Sequence, residues 1–398
     1  MQQQVEDSRL RGLVAQVIVT ALGWACLAVV IVTNNAWLER HTLPEFFQPR
    51  TEQQRALTFV HGALIALAAA LLIWARPRIG RWAARKPGRE LATDLLPTLI
   101  AVVLALGASE VLLRNLPWFS THELPTQREP LRRRDPVTGW AYQPARVGRG
   151  VLGGRMIEYA FDRAGHRVRG AGEAVDYARP SVLFVGESII AGHGVTYDET
   201  IPARVGARLR LQPANLAVGG FATDQMYLRW AVEWPKYREP RALVILFMPS
   251  LFHRNLEHDR PHLDPDLRWR PASDDWRLLQ VARRVMPYRT DRELEDGVAM
   301  TRAALRTMVD TARRKGAVPL ILVPELTPET PEEARIRTRV LAGLPCLKVP
   351  IDPTWRLANN RHPDARADAR LAEAVAAYIE TRQAHAIAPP AAARAASH

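Results

Sequence analysis

The sequence predicts a three-layer α/β domain with a parallel sheet, preceded by three transmembrane helices. Two features predict it. Apolar residues crowd into three long runs within the first 113 of 398 positions, and from Pro180 short apolar runs alternate with amphipathic stretches. Composition narrows the field further. Charged residues make up 24% of the chain and hydrophobic ones 47%, which excludes a disordered or collagen-like polymer. Cys26 and Cys346 stand far apart in unlike contexts, so a disulfide framework is excluded. The formal charge is +13, but it is carried almost wholly by Arg, with Lys only at 86, 236, 315 and 348. In a chain rich in Ala and Pro, that bias reads as coding composition rather than a phosphate-binding face, and no nucleic-acid partner is expected.

The first run, residues 13–33, is interrupted only by Gln16 and two Thr; the second, 56–75, is broken by His61; the third, 95–113, carries Glu110 near its end. A bilayer core takes roughly 20 apolar residues per helix, so each run is long enough to span. Trp74 and Trp118 lie where interfacial anchors belong. With no small-residue cleavage site before Asn34, the first run reads as a retained anchor. Between the second and third runs stand Arg76, Arg78, Arg81, Arg85, Lys86 and Arg89, whereas Arg40, Arg50 and Arg55 of the first loop are diluted by three Glu. By the positive-inside rule the second loop and the N-terminus are cytoplasmic. The chain would then sit in a bacterial inner membrane, with everything after Leu113 periplasmic or extracellular. His61 and Glu110 are expected near the outer ends of their helices, where they could pair.

Residues 114–179 read as a Pro- and Arg-rich linker containing a β-hairpin, with strands flanking Gly153-Gly154. Within it, Arg132 to Arg134 is a basic patch suited to lipid headgroups or an anionic polymer. Strands are predicted over 181–186, 214–218, 242–248, 318–323 and 346–350. Helices are predicted over 202–211, 223–234, 293–315, 331–341 and 364–382. Strands buried on both faces and alternating with helices make a parallel sheet. Residues 249–290 break the rhythm as an insertion or lid. The domain closes near 385, and 386–398 is a low-complexity tail expected to be disordered.

In such sheets ligands sit beyond the carboxyl ends of the strands. After the first strand comes Gly186-Glu187-Ser188, after the second Asn215 to Gly220, and before the last helix Asn359-Asn360-Arg361-His362-Pro363. A Ser, a Gly-rich turn and a His meeting at one edge are the parts of an acyl-transfer site. His193, five residues past Ser188, reads as a structural turn residue. His253, His258 and His262 fit no zinc spacing, so no metal or other cofactor is expected.

These blocks resemble the SGNH (GDSL-type) hydrolase superfamily of esterases, lipases and acyltransferases, in its membrane-anchored bacterial form, over about residues 180–382. Gly186-Glu187-Ser188 matches the first block with Glu for Asp. Asn215 and Gly220 match the second. Asn359 to His362 matches the Asp-x-x-His block with an amide for the acid. The third block should supply an Asn to the oxyanion hole, and Ser250 or Leu251 stands there instead. The resemblance implies Ser188 as nucleophile, His362 as base and Asn359 as its orienting partner. The oxyanion donors would be the Ser188 and Gly220 N–H groups, with Ser250 in part replacing the missing amide and Asn255 or His253 able to reach in. Glu187, Asp352 or Asp364 could supply the missing carboxylate. The expected substrates are acylated envelope glycans, exopolysaccharide or lipids, with membrane lipid and a partner membrane protein as further contacts. The competing expectation is a catalytically degenerate domain that binds acylated polymer or scaffolds an envelope assembly.

Overall fold

The computed structural model describes residues 2–43, 46, 50–115, 132–285 and 288–387. The described chain forms two compact units. One takes residues up to Leu43, 50–115 and 275–289; the other takes Phe46, 132–274 and the chain from Thr290 on.

In the first unit, α1 (Gln2–Val32) is followed by the short α2 (Asn35–His41), α3 (Arg50–Ala69), a π-helical turn (Ala70–Ala75), α4 (Arg76–Arg85) and α5 (Gly88–Asn115). Three helices, over Glu6–Val32, Arg50–Arg85 and Thr93–Asn115, are long and apolar enough to cross a membrane. The basic stretch Arg76–Arg85, read as loop, instead continues the second helix through the π-helical turn that precedes Pro77, because Ala and Arg are strong helix formers. Small residues let α1 and the second helix approach closely: a Cβ on Gly23 would meet Leu72 within 2.6 Å, and one on Gly80 would meet Gln16 within 2.4 Å. His61 and Glu110 do not pair. His61 Nε2 lies 2.9 Å from Thr33 Oγ1. Glu110 accepts from Arg114 and from the Arg277 and Leu278 N–H groups, at 2.8, 2.9 and 3.1 Å.

The second unit opens with antiparallel strands: β1 (Arg132–Asp135) pairs with β2 (Gly139–Tyr142), and β3 (Val147–Leu152) with β4 (Arg155–Phe161), which also pairs with β5 (Arg167–Val168). Leu152 faces Arg155 across Gly153 (φ 59°) and Gly154 (φ 74°), the two left-handed residues that a tight hairpin turn demands. Next come β6 (Ser181–Val185), α6 (Ser188–Ala191), α7 (Ile201–Leu209), β7 (Gln212–Asn215), α8 (Thr223–Glu233) and β8 (Pro240–Leu246). The predicted insertion holds a 3₁₀ segment (Pro249–Leu256), the paired β9 (His262–Leu263) and β10 (Trp269–Arg270), and α9 (Arg277–Val285), which belongs to the first unit. The chain ends with α10 (Asp291–Arg314), β11 (Val318–Glu325), α11 (Pro331–Leu341), β12 (Cys346–Pro350) and α12 (Ala365–Ile387). Helix α12 runs just past the predicted start of the tail, whose residues 388–398 lie outside those described, as does Trp118.

Five parallel strands make the central sheet, in the order β12-β11-β8-β6-β7. Val182 to Val185 and Leu243 to Leu246 are buried at every position, as a sheet covered on both faces requires. Helices α7 and α12 pack together on one side, and α8, α10 and α11 pack together on the other. Strand β7 begins earlier than its predicted span and stops at Asn215, because that side chain turns back to cap the next turn: its Oδ1 accepts the Ala217 N–H at 3.1 Å. Strand order reverses between β6 and β8, which is where a doubly wound sheet opens a crevice.

Candidate active site

Ser188 begins α6 immediately beyond β6. The Glu187 side chain caps the helix, accepting from the Ile189 N–H at 2.9 Å, and Gly192 (φ 75°) ends it after a single turn. Arg167 fixes the turn that follows, donating to the carbonyls of Ala191, Gly192 and Val195 at 2.7, 2.5 and 2.7 Å. Asn215 ties β7 to the same turn by donating to the Ile190 carbonyl at 2.9 Å. The turn that carries Ser188 is thus held from three directions.

His362 arrives from the other end of the chain, on a loop closed by the Leu357 N–H donating to the His362 carbonyl at 3.0 Å. Its Nε2 lies 2.8 Å from Ser188 Oγ. On the other side of the ring, Asn360 Oδ1 lies 2.6 Å from Nδ1 and accepts the His362 backbone N–H at 2.9 Å. An oxygen that accepts the backbone N–H fixes the amide's orientation. Nδ1 must therefore carry the proton, which leaves the Nε2 lone pair facing the serine. The amide that orients the His362 ring is that of Asn360, two residues before it. Asn359, where the motif spacing places the partner, occupies the left-handed corner of the turn (φ 53°) and makes no bond to the ring among the described residues. Burial, seconded by Arg254, holds the imidazole below its ordinary pKa against the pull of Glu187.

Of the three carboxylates considered, Asp352 caps the turn at Thr354 and Asp364 binds Arg366. Glu187 is the one at the site: its Oε2 hydrogen-bonds Ser188 Oγ, and Arg254 Nη1 approaches the same oxygen at 3.5 Å. The serine hydroxyl has one proton for two acceptors, so Glu187 competes with His362 for it. Arg254 draws charge from that competitor.

The second block reaches the serine because the Val218 N–H donates to the Gly186 carbonyl at 3.2 Å. Gly219 is clamped: its N–H donates to Tyr142 Oη at 3.1 Å and its carbonyl accepts from Trp140 Nε1 at 3.0 Å. Gly220 (φ 83°) completes the turn, and among the described residues its N–H meets no acceptor. Among the described residues, neither Ser250 nor Asn255 hydrogen-bonds Ser188, whose hydroxyl meets Glu187 and His362. Ser250 lines a cleft with Phe46, Val323 and Lys348, and Asn255 is consumed by the Thr223 N–H and the hydroxyls of Thr223 and Thr301. His193 is buried with Nε2 3.0 Å from Tyr142 Oη, and its ring stands 5.9 Å from that of His362. Desolvation, with Arg132 and His362 near, keeps it neutral. Among the described residues no three His, Cys, Asp or Glu side chains gather to hold a metal. Sequence reasoning did not assign Asn360, Arg254, Tyr142 or Trp140 to the site; the last two lie in the supposed linker, outside every motif block.

No family model matches the sequence, and no curated protein sequence matches it. Among solved structures the chain is similar to an acetyl xylan esterase from the rumen bacterium Butyrivibrio proteoclasticus, at 10% identity and a TM-score of 0.34 over 53% of this chain and 66% of that one. It is also similar to a GDSL-like lipase from Bacteroides thetaiotaomicron, at 15% identity and TM-score 0.29, covering 51% of this chain and 88% of that one. A two-domain esterase active on acetylated mannans gives 12% identity and TM-score 0.33, covering 53% and 51%. Likenesses this distant do not bear on the chemistry, which rests on the geometry of Ser188, His362 and their neighbours. In architecture, the C-terminal domain is a three-layer α/β/α domain whose serine and histidine meet beyond the carboxyl end of β6.

Proposed function

We propose that this chain is a membrane-anchored, extracytoplasmic serine esterase of SGNH type, acting on acyl esters of envelope glycans, exopolysaccharide or lipids. The reading rests on one observation: the Nε2 lone pair of His362 faces the Ser188 hydroxyl at 2.8 Å, with the tautomer set by Asn360. Ser188 Oγ attacks the ester carbonyl carbon as its proton passes to His362 Nε2. The carbonyl electron pair moves to oxygen, where the Ser188 and Gly220 N–H groups receive it. Collapse expels the alcohol, which takes the proton from His362 and leaves the acyl group on Ser188. Water, or a sugar hydroxyl in an acyl transfer, then attacks the acyl carbon as its proton passes to His362; the Ser188 Oγ–carbon bond breaks, the acyl group leaves on the new oxygen, and His362 returns the proton to Oγ. A neutral Asn360 orients the ring without balancing the imidazolium, so Glu187 is the carboxylate that does so. The excess of Arg at the C-terminal end of the second membrane helix, Arg76 to Arg85, with Lys86 and Arg89 after it, supports a cytoplasmic position for that end, with the domain on the far side.

A fluorophosphonate probe tests this directly on the full-length protein in detergent. It should label wild type, lose its target in Ser188→Ala, and label His362→Ala at least about 100-fold more slowly, as removal of a positioned base costs. If wild type stays unlabelled and cleaves no p-nitrophenyl acetate or butyrate, the domain binds acylated polymer rather than cutting it.

A further inference from the structure

Arg132 opens β1, opposite Tyr142 of β2, and its guanidinium lies on the Gly219-Gly220 turn. Nη2 is 2.7 Å from where a Cβ on Gly219 would stand, and Nη1 is 3.8 Å from where one on Gly220 would stand. Among the described residues it has no carboxylate at ion-pair distance and no hydrogen-bond acceptor, although burial presses on its charge. The carboxylate whose field reaches it, Glu187, is already engaged by the Ile189 N–H, Ser188 and Arg254. A half-buried cation with no counter-ion costs stability unless a partner arrives from outside.

Three features show where that partner forms. The turn beneath the guanidinium is locked by Tyr142 and Trp140, while Arg260 Nη1 donates to the Gly220 carbonyl at 3.3 Å. The free backbone donor of the pair, the Gly220 N–H, is therefore held in place beside Arg132. And the side-chain donor expected from the third block is absent, since Ser250 faces another cleft and Asn255 has no N–H to spare.

We propose that Arg132 is the third oxyanion donor of this site. It rests on the esterase reading above. As the Ser188 Oγ–carbon bond forms and the carbonyl electron pair moves to oxygen, a guanidinium N–H donates to that oxygen alongside the Gly220 and Ser188 amides. Arg132 keeps all its protons throughout. A charged donor makes a bond roughly twice as strong as a neutral one, so a guanidinium compensates for a missing amide. Because the negative charge develops only in the tetrahedral state, the contact acts on kcat rather than on substrate binding.

The test uses the full-length protein in detergent with p-nitrophenyl acetate, a neutral substrate. Arg132→Gln should lower kcat by about 100- to 1,000-fold, the typical loss of one oxyanion donor, with KM within about threefold of wild type. Arg132→Lys, which keeps a cation, should retain more activity. The Ki of a small alkylboronic acid, whose serine adduct is a tetrahedral anion, should rise by the same factor as kcat falls. A melting temperature measured for each variant separates loss of a donor from loss of fold, and Arg132→Lys decides the matter if Arg132→Gln is unfolded. The proposal is overturned if kcat stays within about threefold, if the loss falls on KM alone, or if boronate affinity does not follow kcat. Wild type that is neither labelled nor active sinks the esterase reading itself; an active wild type with an unaffected Arg132→Gln sinks only the role of Arg132.

Discussion

At His362 the motif and the molecule differ by one residue. The spacing of the last block points to Asn359, yet the chain puts that residue in a left-handed corner and turns Asn360 toward the ring. Spacing rules count residues and cannot see which one a turn rotates inward. The difference has a pH signature. With the folded imidazole held below its usual 6.5 by burial and with no carboxylate on Nδ1, the base stays deprotonated further into acid. The acid limb of kcat/KM should fall below pH 6.5. Asn360→Asp places a negative charge beside the protonated form and favours it, so the limb should move up by about one unit, with a higher kcat. A limb that stays put would show that Asn360 does not face the ring in solution. Ser188, Gly220 and His362 were legible because each follows a strand or precedes a helix in a named block. Arg132 was read only as part of a basic patch, and nothing in the local sequence marks Arg254 or Tyr142; tertiary pairing brings Arg132 and Tyr142 to the Gly219 turn and Arg254 to Glu187.

Among the elements, all five sheet strands were legible, β6, β11 and β12 closely and β7 and β8 shifted by two or more residues. The legible core strands are apolar runs, and α11 matches its predicted span, starting at a Thr330 cap with Glu333 reciprocating. The basic helix α4 was misread because charge density was taken to mean loop. The turn at Gly219 shows what an element's tightness is for. A Cβ there would stand 2.4 Å from the His193 ring and 2.7 Å from Arg132, so Gly219→Ala must displace one or both. Overpacking of that kind costs about 1–3 kcal/mol. A lowered melting temperature is expected, together with a fall in kcat like that of Arg132→Gln. An alanine variant as stable and active as wild type would contradict the packing described.

Across the whole molecule, the apolar runs and the Arg-rich connection predict a topology that fusions can read. Alkaline phosphatase joined after Arg114 should be active and joined at Arg85 inactive; the reverse pattern would invert the protein. Residues 114–179 were expected to be a linker with a β-hairpin; the described part of it, from 132 on, packs against the Gly219 turn through Arg132, Trp140 and Tyr142. Its hairpin turn also presses on the base's loop: a Cβ on Gly153 would stand 2.7 Å from Leu357, and one on Gly194 would stand 2.2 Å from the same side chain. Residues near the start of the domain and residues near its end therefore have to meet before either is in place. During synthesis the serine emerges long before its base. On the esterase reading, Ser188 lacks its base until residue 362 has left the ribosome, so activity is expected only once the loop that carries His362 has closed on α6.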